Sequence, residues 1–232
     1  MTQSTIAIIP ARGGSVRMPG KNVAIFMGQP LIHWTVRAAL DSGVVDRVFV
    51  STDDPTIAQA GRAAGAEVPY LRPAELATST AAPYDAIAHM LDHLSLPTAR
   101  IGLLQPTSPL RHAQDVRLAF DMMTDRQAPA VVSVCTFDTP WPVLRGLDAA
   151  GHLRLVDEPA GGVPTHQLNG ALYLCTEAIL RRTRSFTPPG TLPYVMPANR
   201  SVDIDTPLDF QIAHAIASTL PAVFASPVPA AH

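Results

Sequence analysis

Short apolar runs at residues 5–11, 47–51, 67–71 and 101–105 are each followed by a loop and then by apolar residues at helical spacing, at 31–40, 55–64, 84–94 and 115–123. Runs rich in β-branched residues and apolar on both faces must be covered on both faces, which is the situation of strands in a parallel sheet. Further runs at 130–135 and 171–175 and a last helical stretch at 206–216 extend the pattern. The order predicts an α/β fold of three αβα layers, mainly parallel and Rossmann-like, with ligands at the carboxyl ends of the strands. Hydrophobic residues are 47% of the 232 and charged residues 16%, enough apolar material for that core and too little charge for disorder.

Local signals place the helix ends. Asp53 or Asp54 is the expected N-cap before Pro55, and Gly65 closes that helix. Thr206 with Asp209 three residues on, and Pro207 between, forms a capping-box start. The rhythm breaks at 137–168, where prolines and glycines leave only 153–156 strand-like. This segment is expected to be a protruding hairpin or flap within one domain of residues 1–218, serving as a lid or subunit contact. Residues 219–232 are expected to form a flexible tail.

Net charge is −2, which offers no footprint for nucleic acid. No apolar stretch approaches the ~18 residues of a membrane span, and no signal peptide precedes the first run, so a cytoplasmic setting is expected. Cys135 and Cys175 lie in apolar runs and are read as two buried free thiols. His33, His89, His93 and His112 lack metal-ligand spacing and are read as helix-surface residues.

The chemistry concentrates at Ile9-Pro10-Ala11-Arg12-Gly13-Gly14-Ser15-Val16-Arg17-Met18-Pro19-Gly20-Lys21-Asn22, directly after the first run. Backbone N–H groups in a glycine-rich turn form an anion nest, and Arg12, Arg17 and Lys21 add positive charge. A triphosphate needs that combination, because its charge must be neutralised while its leaving group is stabilised. Lys21 is the only lysine of the chain, every other fixed cation being arginine. Neither G-x-G-x-x-G nor G-K-[ST] is present in this loop, which excludes the dinucleotide fingerprint and the Walker loop. Asp203 and Asp205 point to one side of an extended segment, since side chains alternate. Two carboxylates there suit Mg²⁺, a hard cation that shares oxygen ligands with phosphate. The rigid turn from Gln105 to Arg111, with hydroxyls at Thr107 and Ser108, stands where such a sheet binds substrate.

The loop resembles the signature of the CMP-acylneuraminate synthetase family, cytidylyltransferases that activate sialic and related nonulosonic acids. Further segments match in order: Ser51-Thr52-Asp53-Asp54, Leu71-Arg72-Pro73-Ala74-Glu75-Leu76-Ala77, Leu103-Leu104-Gln105-Pro106-Thr107-Ser108-Pro109-Leu110-Arg111, Asn169-Gly170-Ala171-Leu172-Tyr173, and Asp203-Ile204-Asp205-Thr206-Pro207-Leu208-Asp209-Phe210. The resemblance implies CTP and an acidic 2-keto sugar as partners, Mg²⁺ on Asp203 and Asp205, and a homodimer through the flap. It implies that Ala11 to Ser15, Lys21 and Asn22 hold the nucleotide, and that Arg72, Asn22 and the main chain at Thr80 and Ala81 recognise cytosine. Arg12 and Lys21 would stabilise departing pyrophosphate, Gln105 would contact the acceptor sugar, and Asn169 and Tyr173 would line its pocket.

Three departures stand out. Val16 occupies the place of a family lysine, and Arg17 beside it is expected to point elsewhere. Trp141-Pro142-Val143 stands where the flap carries a lysine, and residues 158–162 offer no arginine, leaving Arg145 or Arg154 as substitutes. The function expected is CMP transfer from CTP to a nonulosonic acid. The alternatives are a related nucleotidyltransferase for another sugar or base, and a CTP-binding paralogue with little turnover.

Overall fold

A computed structural model describes residues 4–78, 83–94, 100–136, 143–156 and 165–220, together with Phe224. In chain order the first elements are β1 (Thr5–Pro10), β2 (Ile25–Phe26), β3 (Gln29–Pro30), α1 (Leu31–Leu40), β4 (Arg47–Ser51), α2 (Pro55–Ala63), α3 (Pro83–Leu94) and β5 (Arg100–Leu103). There follow α4 (Ala113–Asp125), β6 (Ala130–Thr136), β7 (Arg145–Leu147), β8 (Leu153–Leu155), β9 (His166–Thr176), α5 (Glu177–Thr183), β10 (Leu192–Val195) and α6 (Pro207–Ser218).

The central sheet runs β10-β6-β9-β5-β1-β4. β1 is parallel to both β4 and β5, and β10 is parallel to β6, while β9 runs antiparallel between β5 and β6. Alternation along β1 shows why it is buried on both faces. Ala7 and Ile9 join residues of α1, α2 and α4 in one cluster, whereas Ile6 and Ile8 join α3 and α5 in another. The three layers follow from those two clusters. A third cluster around Phe26, Leu31, Trp34 and Ile204 packs α6 beside the β2–β3 hairpin.

Several boundaries sharpen the sequence reading. Asp54 is the N-cap of α2, its carboxylate accepting from the N–H groups of Thr56 and Ile57. Thr206 and Asp209 make the reciprocal cap of α6. Residues 67–71 form no strand, only a single bridge from Glu67 to Phe49. Pro69 has no N–H with which to continue the ladder. α5 and β10 were not anticipated; β10 contains Pro193, which an edge strand tolerates. β9 begins at His166, inside the stretch assigned to the flap, and the excursion itself contains the β7–β8 hairpin. In the expected tail, Phe224 is buried, its ring set edge-on to Phe26 and Trp34. Both cysteines are free and buried, and burial pushes the Cys175 thiol up to about 12. None of the described helices is long and apolar enough to cross a membrane.

Candidate active site

A cleft of about 440 Å³ opens at the carboxyl ends of β1 and β5. The loop after β1 contributes Arg12, Ser15, Val16, Arg17, Lys21 and Asn22 to its wall, and the loop after β5 contributes Gln105, Pro106 and Thr107. Arg72 and Asp205 complete the polar lining.

The loop is shaped by its glycines. A Cβ at Gly13 would lie 2.9 Å from Asp54 Oδ2, so only glycine lets the chain pass there, whereas Gly14 faces open space. Gly20 adopts left-handed geometry and turns the chain into a 3-10 turn, Lys21–Val23, which carries Lys21 inward. The anion nest is narrower than the sequence suggested. Gly13 N–H donates to Asp53 Oδ1 at 3.0 Å, Ser15 N–H to Gly13 O and Ala11 N–H to Ser51 O. Side chains therefore carry most of the positive character. Lys21 is only 8% exposed and donates to Ile204 O at 2.7 Å and to Asp205 Oδ1 at 3.0 Å. A buried ammonium requires such partners. Arg12 donates to Thr78 O at 2.9 Å, and Asn22 Nδ2 to Arg12 O at 3.0 Å. Arg72 is buried, its guanidinium 3.9 Å from Asp53 Oδ1 and its Nε without a partner; burial lowers its pKa.

The acidic pair follows the alternation read from sequence. Ile204 packs in the core beside Phe26 and Leu31, and its N–H donates to Thr107 O at 2.8 Å, so Asp203 and Asp205 share the opposite face. Their surroundings differ. Asp205 holds Lys21 on Oδ1 and Arg17 on Oδ2, the latter at 2.6 Å. Asp203 keeps a buried Oδ1 with no partner, and burial pushes its carboxyl up while the Thr107 hydroxyl opposes the rise. The described residues contain no cluster of three or more metal-ligating side chains. A cation here would take two carboxylates and complete its shell from phosphate and water, the habit of a hard divalent ion. The orphaned Asp203 oxygen is an acceptor that such an ion would satisfy, so the donor set fits.

From the loop after β5, Gln105 and Thr107 reach the cleft. Gly170, at φ +76°, leaves the space they need: a Cβ there would lie 2.8 Å from Gln105 Oε1 and 3.2 Å from Asp203 Oδ2. Ser108 is fully buried with its hydroxyl unpartnered. Asn169 is 4% exposed and fully engaged: Oδ1 accepts from Ser133 Oγ and Ala171 N–H, while Nδ2 donates to Ser201 Oγ and Met196 Sδ. Tyr173 is half-buried on β9 beside Phe186, and burial, with the Asp203 charge behind it, raises its phenol pKa. The structure thus gathers Arg12, Ser15, Lys21, Asn22, Arg72, Gln105, Thr107 and Asp205 around one cleft. Ala11, Ser108 and Asn169 stand in the interior instead. Thr80 and Ala81 lie outside the described residues, as do Trp141, Pro142 and residues 158–162.

A family profile described as Cytidylyltransferase matches residues 6–141, more than half of the chain. The chain belongs to the cytidylyltransferase family. It is 34% identical over 219 residues to a CMP-N,N'-diacetyllegionaminic acid synthase of Legionella pneumophila, spanning 89% of this chain and 93% of that protein. It is 32% identical to an N-acylneuraminate cytidylyltransferase of Escherichia coli, spanning 92% of this chain but 52% of that longer protein. A pseudaminic acid cytidylyltransferase of Campylobacter jejuni is 31% identical over 90% of this chain and 94% of its own length. Among solved structures, a CMP:2-keto-3-deoxy-manno-octonic acid synthetase complexed with CTP shares the fold at TM-score 0.70 and 19% identity, covering 94% of this chain and all of that one. A 4-diphosphocytidyl-2C-methyl-D-erythritol synthase does so at TM-score 0.70 and 16% identity, covering 94% of this chain and 99% of that one.

Other residues of this cytidylyltransferase shape the site in ways that their sequence positions did not indicate. Arg17 was expected to point away, yet it turns into the cleft because Asp205 attracts it. Arg111 is fully buried and donates from Nη1 to Ala171 O at 2.7 Å, close beneath Gln105 and Gly170; burial holds its guanidinium down at about 9. Arg200 clasps Asp115 through Nη2 at 2.8 Å and Nε at 3.2 Å, anchoring the turn that precedes Asp203. Arginine–carboxylate spacing was no guide here, because the partners lie 85 residues apart. His33 and His112 are not surface residues but half-buried, and burial lowers both pKa values. His89 instead meets the Tyr70 hydroxyl at 2.7 Å. Arg145 and Arg154 stand on the exposed β7–β8 hairpin and do not line the cleft.

Proposed function

We propose that this cytidylyltransferase transfers CMP from CTP to the anomeric hydroxyl of a nonulosonic acid, releasing pyrophosphate. The relatives named for legionaminic, N-acylneuraminic and pseudaminic acids support that acceptor class. The observation that carries the reading is the Lys21–Asp205 contact, which joins a basic loop and an acidic pair across one cleft.

The chain's own residues would act mainly by position and charge. Arg12 and Lys21 stand where negative charge collects as the α–β phosphoanhydride bond breaks, and preorganised cations are worth most in a partly dry site. Gln105 and Thr107 would orient the acceptor so that its hydroxyl oxygen approaches the α-phosphorus opposite the leaving pyrophosphate. Asp203 and Asp205 would hold Mg²⁺, which when bound supplies Lewis acidity to phosphate and acceptor oxygens. Arg72 and Asn22 border the cleft beyond the loop and are assigned to the cytosine, together with the chain at Thr80 and Ala81. A homodimer belongs to the same reading, formed through the 137–168 excursion, whose Leu147, Leu153 and Leu155 are largely exposed. So does a cytoplasmic setting, where nucleoside triphosphates are available.

Pyrophosphate release, measured with each of the four nucleoside triphosphates against legionaminic, N-acylneuraminic and pseudaminic acids, tests the proposal. Release that requires CTP, Mg²⁺ and one of these sugars is expected. Release with UTP or GTP in place of CTP would overturn the cytidine assignment, and tight CTP binding without release would mark a binding protein.

A further inference from the structure

Each oxygen of Asp205 accepts from a cation. Lys21 Nζ lies 3.0 Å from Oδ1, and Arg17 Nη2 lies 2.6 Å from Oδ2. A divalent cation sharing this carboxylate with both would meet two like charges at close range, so its binding favours the departure of one. The two are held very differently. Lys21 is buried and also tied to the Ile204 carbonyl, so leaving would strand an ammonium in the interior. The Arg17 side chain is 66% exposed and its partner 37%, an ion pair of the kind that water and salt weaken to little net value. Of the two, Arg17 is the one that can leave at low cost.

What could draw it away is set by the cleft. Arg17 lines the same wall as Arg12 and Lys21, and a guanidinium makes its best contacts as a fork on phosphate oxygens. Arg12 is committed to the Thr78 carbonyl, and Arg72 faces Asp53. Val16, beside Arg17 and largely exposed, brings no charge of its own.

We propose that Arg17 is the exchangeable counter-ion of Asp205, released to the phosphates of an arriving nucleoside triphosphate so that the vacated carboxylate oxygen can take a divalent cation. This rests on reading the cleft as a triphosphate site. The exchange makes nucleotide and metal binding mutually favourable, each raising the affinity for the other by the same factor. It also weakens the hold of the nucleotide-free protein on metal, since Asp205 then carries two cations. Arg17 is thereby a nucleotide-contacting residue, standing in for the charge that Val16 lacks.

The test is calorimetric titration of the nucleotide-free protein with Mn²⁺, a hard-site probe, and separately of the metal-free protein in EDTA with CTP. Wild type, Arg17→Ala and Arg17→Lys are compared, each first checked for an unchanged Tm. Arg17→Ala is expected to bind Mn²⁺ about tenfold more tightly and CTP about tenfold more weakly, the scale of one charge-assisted contact. Arg17→Lys should lie between the two on both axes. Unchanged Mn²⁺ affinity in Arg17→Ala, with CTP still bound by wild type, overturns the exchange alone. Failure of wild type to bind CTP in EDTA and also in the presence of Mn²⁺ overturns the triphosphate reading beneath it.

Discussion

The rim of the cleft formed by the loop after β1 turns its side chains toward the ligand space, whereas β9, which stands behind Gln105 without lining the cleft, spends residues 169–175 largely inside the protein. Arg12, Ser15, Arg17, Lys21 and Asn22 all line the cleft. On β9, Asn169 has every hydrogen-bonding position occupied by Ser133, Ala171, Ser201 and Met196. Both segments carry motifs of the resemblance, but only the loop turns them into the cleft. The loop supplies charge, and β9 supplies shape, chiefly through Gly170, whose missing Cβ leaves room for Gln105 and Asp203.

Substitutions can break this contrast. The largest effect is expected at Lys21→Ala, which removes a fixed cation from the charged rim and should lower pyrophosphate release by about 10²–10³-fold. Turnover near that of wild type would remove Lys21 from the chemistry. Asn169→Ala should act through the scaffold instead, costing about 1–3 kcal/mol of unfolding free energy in denaturant titration because buried partners lose their bonds. A raised KM for the sugar with unchanged stability would place Asn169 on the ligand side after all.

Asp203→Asn sharpens the comparison within the acidic pair. Burial raises the Asp203 pKa in the folded chain, so the folded state binds its proton more tightly than the unfolded one. Stability is therefore lost as pH rises from the unfolded value through the folded one, and the loss persists at neutral pH. The asparagine should recover it, raising Tm at pH 7 by about 2–4 °C per kcal/mol relieved, and this gain should vanish at a pH below both values. Release should fall at the same time, since a carboxylate proposed to hold the cation is gone. The smallest effect is expected at Ser108→Ala. Its hydroxyl is buried without a partner, so stability and turnover should stay within about 0.5 kcal/mol of wild type.

Much of this arrangement was legible before the coordinates, and for identifiable reasons. Strands such as β1 and β6 announce themselves because they are apolar on both faces, and α2 and α6 because Asp54 and Thr206 cap them. The acidic pair was readable because Asp203-Ile204-Asp205 alternates, and the structure uses Ile204 as the inward anchor. The strand expected at 67–71 failed at Pro69, and β10 was hidden by Pro193, which matters less at an edge. The direction of Arg17 was illegible for a different reason. It is decided by a carboxylate 188 residues away, and neither loop geometry nor local spacing contains that information. The same holds for Arg111, a buried cation whose bond to the Ala171 carbonyl exists only once β5 and β9 are side by side.

The place of β9 has a consequence for how the chain is made. β1, β4 and β5 are all synthesised early and can pair as a parallel trio, but the inner edge of β5 stays open until β9 has emerged. β6 leaves the ribosome before β9 as well, and within the sheet its neighbours are β9 and β10, both still to come. A nascent chain that has emerged through β6 but not yet to residue 166 therefore leaves the inner edge of β5 and both edges of β6 unpaired, the form of a polypeptide that chaperones bind and that associates with its own copies. The strand that closes the sheet between β5 and β6 is also the one that ends this exposure.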